Sequence, residues 1–221
     1  MGKYALGQPV PRSEDPRLLT GGGRFVDDNK LPFMAHGYVL RSPHAAATIR
    51  SIDTDAAKAA PGVLDVLTHA ELAADGIGDL PVPSGRTRPG GGPMYRPARP
   101  ALVENRVRMV GDYVAFIVAE SLNQAKDAAD LVKVDYEPLP SNADTATAVE
   151  PGTPAVHDDC PDNICFVHEG GDSAATDAAF AAADNIVSQR LVINRVQAAT
   201  MEPRACIGHF NPIEGIYTVY T

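Results

Sequence analysis

The residues best equipped for chemistry lie in the last third of the chain. His157, Cys160, Cys165 and His168 form an H-x2-C-x4-C-x2-H array. Two imidazoles and two thiols are a donor set that suits tetrahedral zinc. Against zinc stand Pro161 inside the array, the lack of a paired Cys-x-x-Cys, and surroundings that read as a linker. Free thiols are the favoured reading and a zinc-dependent regulator the lesser one. Further on, Glu202-Pro203-Arg204 places an acid and a base two residues apart. Pro203 holds the residue before it extended, and residues two apart share a strand face, so Glu202 and Arg204 are expected to pair or to hydrogen-bond buried backbone, as a scaffold. A polar cluster beside a cofactor is the alternative.

Three other features invite a chemical reading. Gly21-Gly22-Gly23-Arg24 could cradle a phosphate, but such loops follow a strand and open a helix. This run follows "DPRLLT" and leads into "RFVDD", so a turn is favoured. His36, His44, His69 and His209 are scattered, with no serine or cysteine nucleophile at motif spacing. Arg86, Arg88, Arg96 and Arg99 crowd one loop, where they could meet an anion or a partner subunit or simply be solvated.

The elements that must position these residues follow from periodicity. "MAHGYVLR" and "ATIRSIDT" read as strands around the turn Ser42-Pro43-His44. A short helix from Asp55 stops at Pro61-Gly62, and "VLDVLT" is a third strand. Thr68 with Glu71, and Ser121 with Gln124, have the spacing of capping boxes that open helices. "YVAFIVA" is apolar throughout, as a strand buried on both faces would be. Leu122, Ala125, Ala129 and Val132 make one helical stripe, and "VKVDYE" alternates as a half-exposed strand. Strand, helix and strand there make a compact α/β unit. Residues 76–100 hold six prolines and six glycines and read as a long irregular loop. Residues 1–33 read as an irregular arm. After the polar stretch 141–172 comes a helix over about 176–183, then three strand candidates, "NIVSQRLVIN", "ACIGHF" and "IYTVYT", the last two joined by an "NPIEG" turn.

That last meander has too little apolar face to be stable alone and should pack on other polypeptide. Net charge is −9 over 221 residues, which argues against nucleic-acid binding through phosphates. No apolar stretch is long enough for a membrane span, and no secretory h-region opens the sequence. Gly2 does not fit a myristoylation motif, because Leu6 stands where Ser or Thr is needed. With three cysteines, a cytoplasmic location is expected.

Five stretches carry a resemblance: "GQPVPRSEDPRLLTGGGRFVDD", "VLRSPHAAATIRSIDTDAAKAAPGVLDVLT", "VRMVGDYVAFIVAES", "AADLVKVDYEPLP" and "MEPRA". Together and in this order they resemble the molybdenum hydroxylases, the large molybdopterin-binding subunits of xanthine dehydrogenase, aldehyde oxidase and carbon monoxide dehydrogenase. The arm and Met-Glu-Pro-Arg look closest to the carbon monoxide dehydrogenase-like branch. The resemblance implies an α+β fold: an arm over 1–19, an a/b hammerhead domain over 20–140, a linker over 141–175, and the incomplete, mixed α/β start of a molybdenum-cofactor-binding domain over 176–221.

It also implies the reaction, oxidative hydroxylation of a small organic substrate by a metal-activated hydroxide. The cofactor implied is molybdenum-molybdopterin cytosine dinucleotide, and the partners are the remaining molybdopterin-binding portion and iron–sulfur and FAD subunits. The family's glycine-rich cofactor segment and its catalytic glutamate fall past Thr221, so no catalytic residue or metal ligand is assigned and the chain is expected to be inactive alone. Many members place a cofactor-contacting glutamine six residues before the position of Glu202. Here that position is Val196, with Gln197 one residue later, which makes Gln197 the candidate. A non-catalytic interaction module, either half of a split subunit or a remnant, is the alternative.

Overall fold

The computed structural model describes residues 11–83, 85–193, 196–200 and 202–221. The first ten residues of the arm, with Gly2 and Leu6, lie outside the described residues, as do Asn194 at the end of the first C-terminal strand candidate and Met201 of Met-Glu-Pro-Arg. In chain order the elements are α1 (Asp15–Leu19), β1 (His36–Arg41), β2 (Ala47–Asp53), α2 (Asp55–Lys58), β3 (Val63–Leu67), α3 (His69–Ala74), β4 (Arg106–Val107), β5 (Tyr113–Ala119), α4 (Leu122–Ala129), β6 (Lys133–Pro138), α5 (Ser173–Ala182), β7 (Ile207–Asn211) and β8 (Ile216–Tyr220). The architecture is α+β, in two units: residues 35–186 form one, and residues 1–34 with 187–221 form the other.

In the larger unit, two antiparallel sheets hold the core. β5 lies between β1 and β3 in the first, and β2 lies between β4 and β6 in the second. β5 is apolar throughout because both of its faces are covered. Ala115, Ile117 and Ala119 join Val66 and the α2 and α4 alanines in one cluster, while Val114 joins Ala47, Ile49 and Val107 in another. Ile117, Val66, Val107 and Val114 are fully buried, each stabilising by about 1.5–3 kcal/mol. The first cluster is rich in alanine, which lets α4 approach its sheet closely.

β5, α4 and β6 are consecutive, yet β5 and β6 belong to different sheets, so α4 packs on β1 and β5 and is not the crossover of a single sheet. Ala125, Ala128 and Ala129 form its buried stripe, whereas Leu122, expected in it, is exposed. β6 alternates as expected, with Val134 and Tyr136 half-buried between exposed Lys133, Asp135 and Glu137.

Local capping follows the sequence at α3. Thr68 Oγ1 accepts from the Ala70 amide, and the Glu71 carboxylate accepts from the Thr68 amide at 2.8 Å. At α4 only half of the expected box forms. Ser121 Oγ accepts from the Gln124 amide at 3.4 Å and donates to Gln124 Oε1 at 2.6 Å, so the Gln124 side chain is not on the cap backbone. The Gln124 oxygen is taken by the Ser121 hydroxyl, and the side chain lies over Gly62, where a Cβ would sit 1.9 Å from its amide nitrogen. Gly62 also has φ +77°, which favours glycine.

The smaller unit differs most from expectation. The arm is not wholly irregular, since α1 occupies Asp15–Leu19. The stretch read as the first of three C-terminal strands is irregular over 185–193, leaving an antiparallel pair, β7 and β8. A strand needs a neighbour to take up its backbone groups, and a run of apolar, β-branched residues does not supply one. In the larger unit, α5 begins at Ser173 rather than near Thr176 because Asp172 caps it, accepting from the Ala175 amide at 2.9 Å. No described residue between 11 and 34 or between 187 and 221 is buried.

Candidate functional site

The chemistry-bearing residues fall into two groups, one in each unit. In the smaller unit, the Glu202 carboxylate accepts a hydrogen bond from the Val26 amide at 2.9 Å, bridging 176 positions of sequence. Of the two expected arrangements the Glu202–Arg204 ion pair is not formed and a hydrogen bond to backbone is, at an amide that is not buried; Arg204 is exposed and absent from the ion pairs among the described residues. Glu202 instead ties the "RFVDD" turn of the arm to the start of the C-terminal segment. The neighbouring Phe25 amide is held locally, donating to Asp28 at 2.8 Å.

The glycine run belongs to the same arm. Gly21 has φ +76°, its amide donates to the Leu18 carbonyl, and the Gly22 amide donates to the Arg17 carbonyl at 2.8 Å. That pattern ends α1 as a Schellman motif. The glycines therefore close a helix and satisfy its carbonyls, whereas a phosphate cradle needs free amides at a helix start.

Gln197 is exposed, on irregular backbone. The residues present do not by themselves fit a pterin cofactor. Such a ligand needs convergent polar groups in a concave site that buries most of it, and no described residue of the 187–221 segment is buried.

In the larger unit, the arginine loop meets the His/Cys segment. The Thr87 and Val167 backbones bridge, and the Tyr95 amide donates to the Cys165 carbonyl at 3.0 Å. Arg88 pairs with Asp162, Arg106 grips both oxygens of Asp158 at 2.8 and 2.9 Å, and the Tyr95 hydroxyl donates to Asp159 at 2.5 Å. The 76–100 stretch is thus tied down on the segment around 157–168. Arg96 and Arg99 show no ion pair among the described residues.

The four zinc candidates do not converge. Cys160 is buried and donates toward Asp162 and the Ile164 carbonyl, each at 3.5 Å. The Cys165 thiol donates to the Tyr95 carbonyl at 3.0 Å, His168 contacts Arg86, and His157 packs on the Tyr95 ring. No group of three or more His, Cys, Asp or Glu among the described residues is placed to hold a metal ion, and all three cysteines are free.

Burial and partners set the electrostatics here. Burial raises the Cys160 thiol and lowers His157. Tyr95 is pushed up to about 12 by burial and by its bond to Asp159. The Asp162 carboxyl is held low, chiefly by the Ile164 amide. A raised thiol is a poor nucleophile, so Cys160 is a structural residue.

The other histidines do structural work or stand apart. His69 Nδ1 lies 3.1 Å from the Leu102 carbonyl, His44 packs on Tyr136, and His36 and His209 sit in β1 and β7. Sequence reasoning missed Asp159 and Asp162 as partners of Tyr95 and Arg88 in the loop, and Asp158 as the partner of Arg106 in β4. The signal available was charge: "HDDCPD" is an acidic run, and the arginines crowd into the 76–100 stretch and at Arg106 and Arg108 just after it. It missed Asn163 as well, whose side chain accepts from Val156 and donates to the carbonyls of Ala148 and Pro154.

Comparison with known proteins matches residues 20–140 to the family of aldehyde oxidase and xanthine dehydrogenase, a/b hammerhead domain, and residues 156–221 to the molybdopterin cofactor-binding domain. The carbon monoxide dehydrogenase large chain of Afipia carboxidovorans is 36% identical over 97% of this chain and 27% of its own length. The nicotine 6-hydroxylase large subunit of Paenarthrobacter nicotinovorans is also 36% identical, over 94% of this chain and 24% of its own. The crystal structure of quinoline 2-oxidoreductase from Pseudomonas putida 86 superposes with a TM-score of 0.79 at 33% identity, covering 99% of this chain and 27% of that one. The chain spans about a quarter of the length of these relatives.

Proposed function

The chain belongs to the aldehyde oxidase and xanthine dehydrogenase family of molybdenum oxidoreductases, and we propose that it serves as the N-terminal part of a molybdopterin-binding large subunit. In this reading residues 20–140 are the hammerhead scaffold, and the residues from about 176 contribute the first elements of the cofactor domain, with 1–19 as its arm and 141–175 as the connection. The reaction of the assembled enzyme is oxidative hydroxylation of a small organic substrate, with electrons passed to iron–sulfur and FAD subunits. The cofactor is molybdopterin, in its cytosine dinucleotide form, and supplies redox and oxygen-transfer chemistry when bound. Gln197 contacts it once further polypeptide encloses the segment. Three free thiols fit a cytoplasmic setting, and no helix among the described residues is long and apolar enough to cross a membrane.

One observation carries the reading. The 187–221 segment shows large apolar side chains to solvent and, among the described residues, buries none. Val187, Ile193 and Ile213 are 90% exposed or more, and Tyr217 and Val219 of β8 are open as well. Covering Val187, Ile193 and Ile213 alone would stabilise by about 1.5–3 kcal/mol each. Exposed strand edges with such faces also invite association. The natural cover is the remainder of a cofactor domain, and without it residues 1–221 are inactive.

The test is metal analysis of purified residues 1–221, alone and coexpressed with polypeptide completing the cofactor domain in a host that makes the cofactor. Molybdenum should be absent from the first preparation and close to stoichiometric in the second. Stoichiometric molybdenum in residues 1–221 alone would overturn the reading. A stable, cofactor-free complex would favour a non-catalytic interaction module.

A further inference from the structure

We propose that the pocket between the 85–91 loop and residues 167–169 binds a tetrahedral oxyanion of the phosphate type. It is an open groove of about 710 Å³, and its walls include Arg86, Arg88, His168, Glu169, Gly90 and Gly91. It lies in the larger unit and is independent of the cofactor reading.

Charge bookkeeping singles out Arg86. Arg88 is neutralised by Asp162, whereas no carboxylate among the described residues pairs with Arg86. One Arg86 N–H goes to His168 Nδ1 at 2.5 Å, and the guanidinium lies 5.8 Å from the Phe166 ring centroid. A guanidinium carries five N–H donors and no acceptor, so His168 Nδ1 must be the acceptor. The imidazole proton then sits on Nε2, which becomes a second donor. The remaining guanidinium N–H groups of Arg86 are left for a ligand, and their fork matches phosphate geometry.

Room for the group comes from the glycines. Gly90 and Gly91 have φ of +81° and +85°, and a Cβ built on either meets nothing within 4 Å, so that wall is bare. Glu169 opposes an anion and keeps affinity modest. The overall charge of −9 does the same at long range, so the site selects by local geometry rather than by field.

The shared chemistry is the phosphate group, free or carried as a small phosphomonoester. The experiment is a titration of the full chain followed by NMR of the His168 ring signals. Inorganic phosphate and glycerol 3-phosphate are the probes, with chloride at matched ionic strength as control. The expected result is a saturable shift with phosphate that chloride does not reproduce. Arg86→Gln should weaken binding about tenfold, a loss of about 1.4 kcal/mol, and Glu169→Gln should tighten it. Equal affinity for both probes assigns the free anion; tighter glycerol 3-phosphate assigns a phosphomonoester whose organic part lies along the pocket. A shift that does not saturate, an equal response to chloride, or unchanged affinity in a folded Arg86→Gln variant would overturn the proposal. If that variant misfolds, the wild-type titration and the Glu169→Gln comparison still decide.

Discussion

Replacing Glu202 by alanine should loosen the N-terminal arm at one identifiable amide. The carboxylate accepts from Val26 at 2.9 Å, and this bond spans 176 positions. A hydrogen bond to a charged group contributes about 1.5–3 kcal/mol when shielded. Glu202 is exposed, and solvent screening brings the figure nearer ~1 kcal/mol. One kcal/mol is about a fivefold change in an equilibrium, so hydrogen exchange at the Val26 amide should speed up about fivefold in Glu202→Ala. Glu202→Gln keeps a carbonyl oxygen in place and should give a smaller change. The adjacent Phe25 amide is the internal control, since it donates to Asp28 at 2.8 Å and not to Glu202. Exchange measured by NMR at both amides separates loss of one bond from general release of the arm. Unchanged Val26 protection in Glu202→Ala would refute the reasoning, and Glu202 would then have no part in holding the arm.

Glu71 predicts a pH dependence. The Thr68 hydroxyl, more than any other partner, holds its carboxyl down to about 2. A lowered carboxylate lends stability that is complete above its ordinary value and is lost as pH falls toward 2. Its side chain is 35% exposed, so the contribution is discounted to ~1 kcal/mol; urea unfolding at pH 7 and pH 3 should show this difference in wild type and not in Glu71→Gln. Gly62→Ala combines a positive φ with a Cβ 1.9 Å from Gln124 and should cost about 1–3 kcal/mol in the same assay; an unchanged midpoint would show that Gln124 swings clear without loss. Thiol labelling under native conditions should modify exposed Cys206 first and buried Cys160 last, because burial both raises and shields that thiol; comparable rates at the two would contradict the packing of Arg88 and Asp162 around Cys160.

Local signals in the sequence were enough wherever the partner lay within a few residues. The Thr68–Glu71 box, the Asp55 helix start, the alternation of Lys133–Glu137 and the doubly covered Tyr113–Ala119 all follow from spacing. Propensity and capping act over one or two turns. Where the partner was distant, the same signals failed or were silent. The apolar residues of 185–193 did not make a strand, because pairing depends on a neighbour. The Ser121–Gln124 spacing made half a box, because the glutamine oxygen accepts from the Ser121 hydroxyl while its side chain fills the space over Gly62. Family membership was legible too, since it rests on the order and identity of whole stretches. Only the tertiary structure decided that β5 and β6 enter different sheets, that the arginine loop and the "HDDCPD" run neutralise each other, and that Glu202 reaches Val26 rather than Arg204. These contacts join residues tens to hundreds of positions apart, and chain folding, not spacing, sets which of many possible partners is within reach.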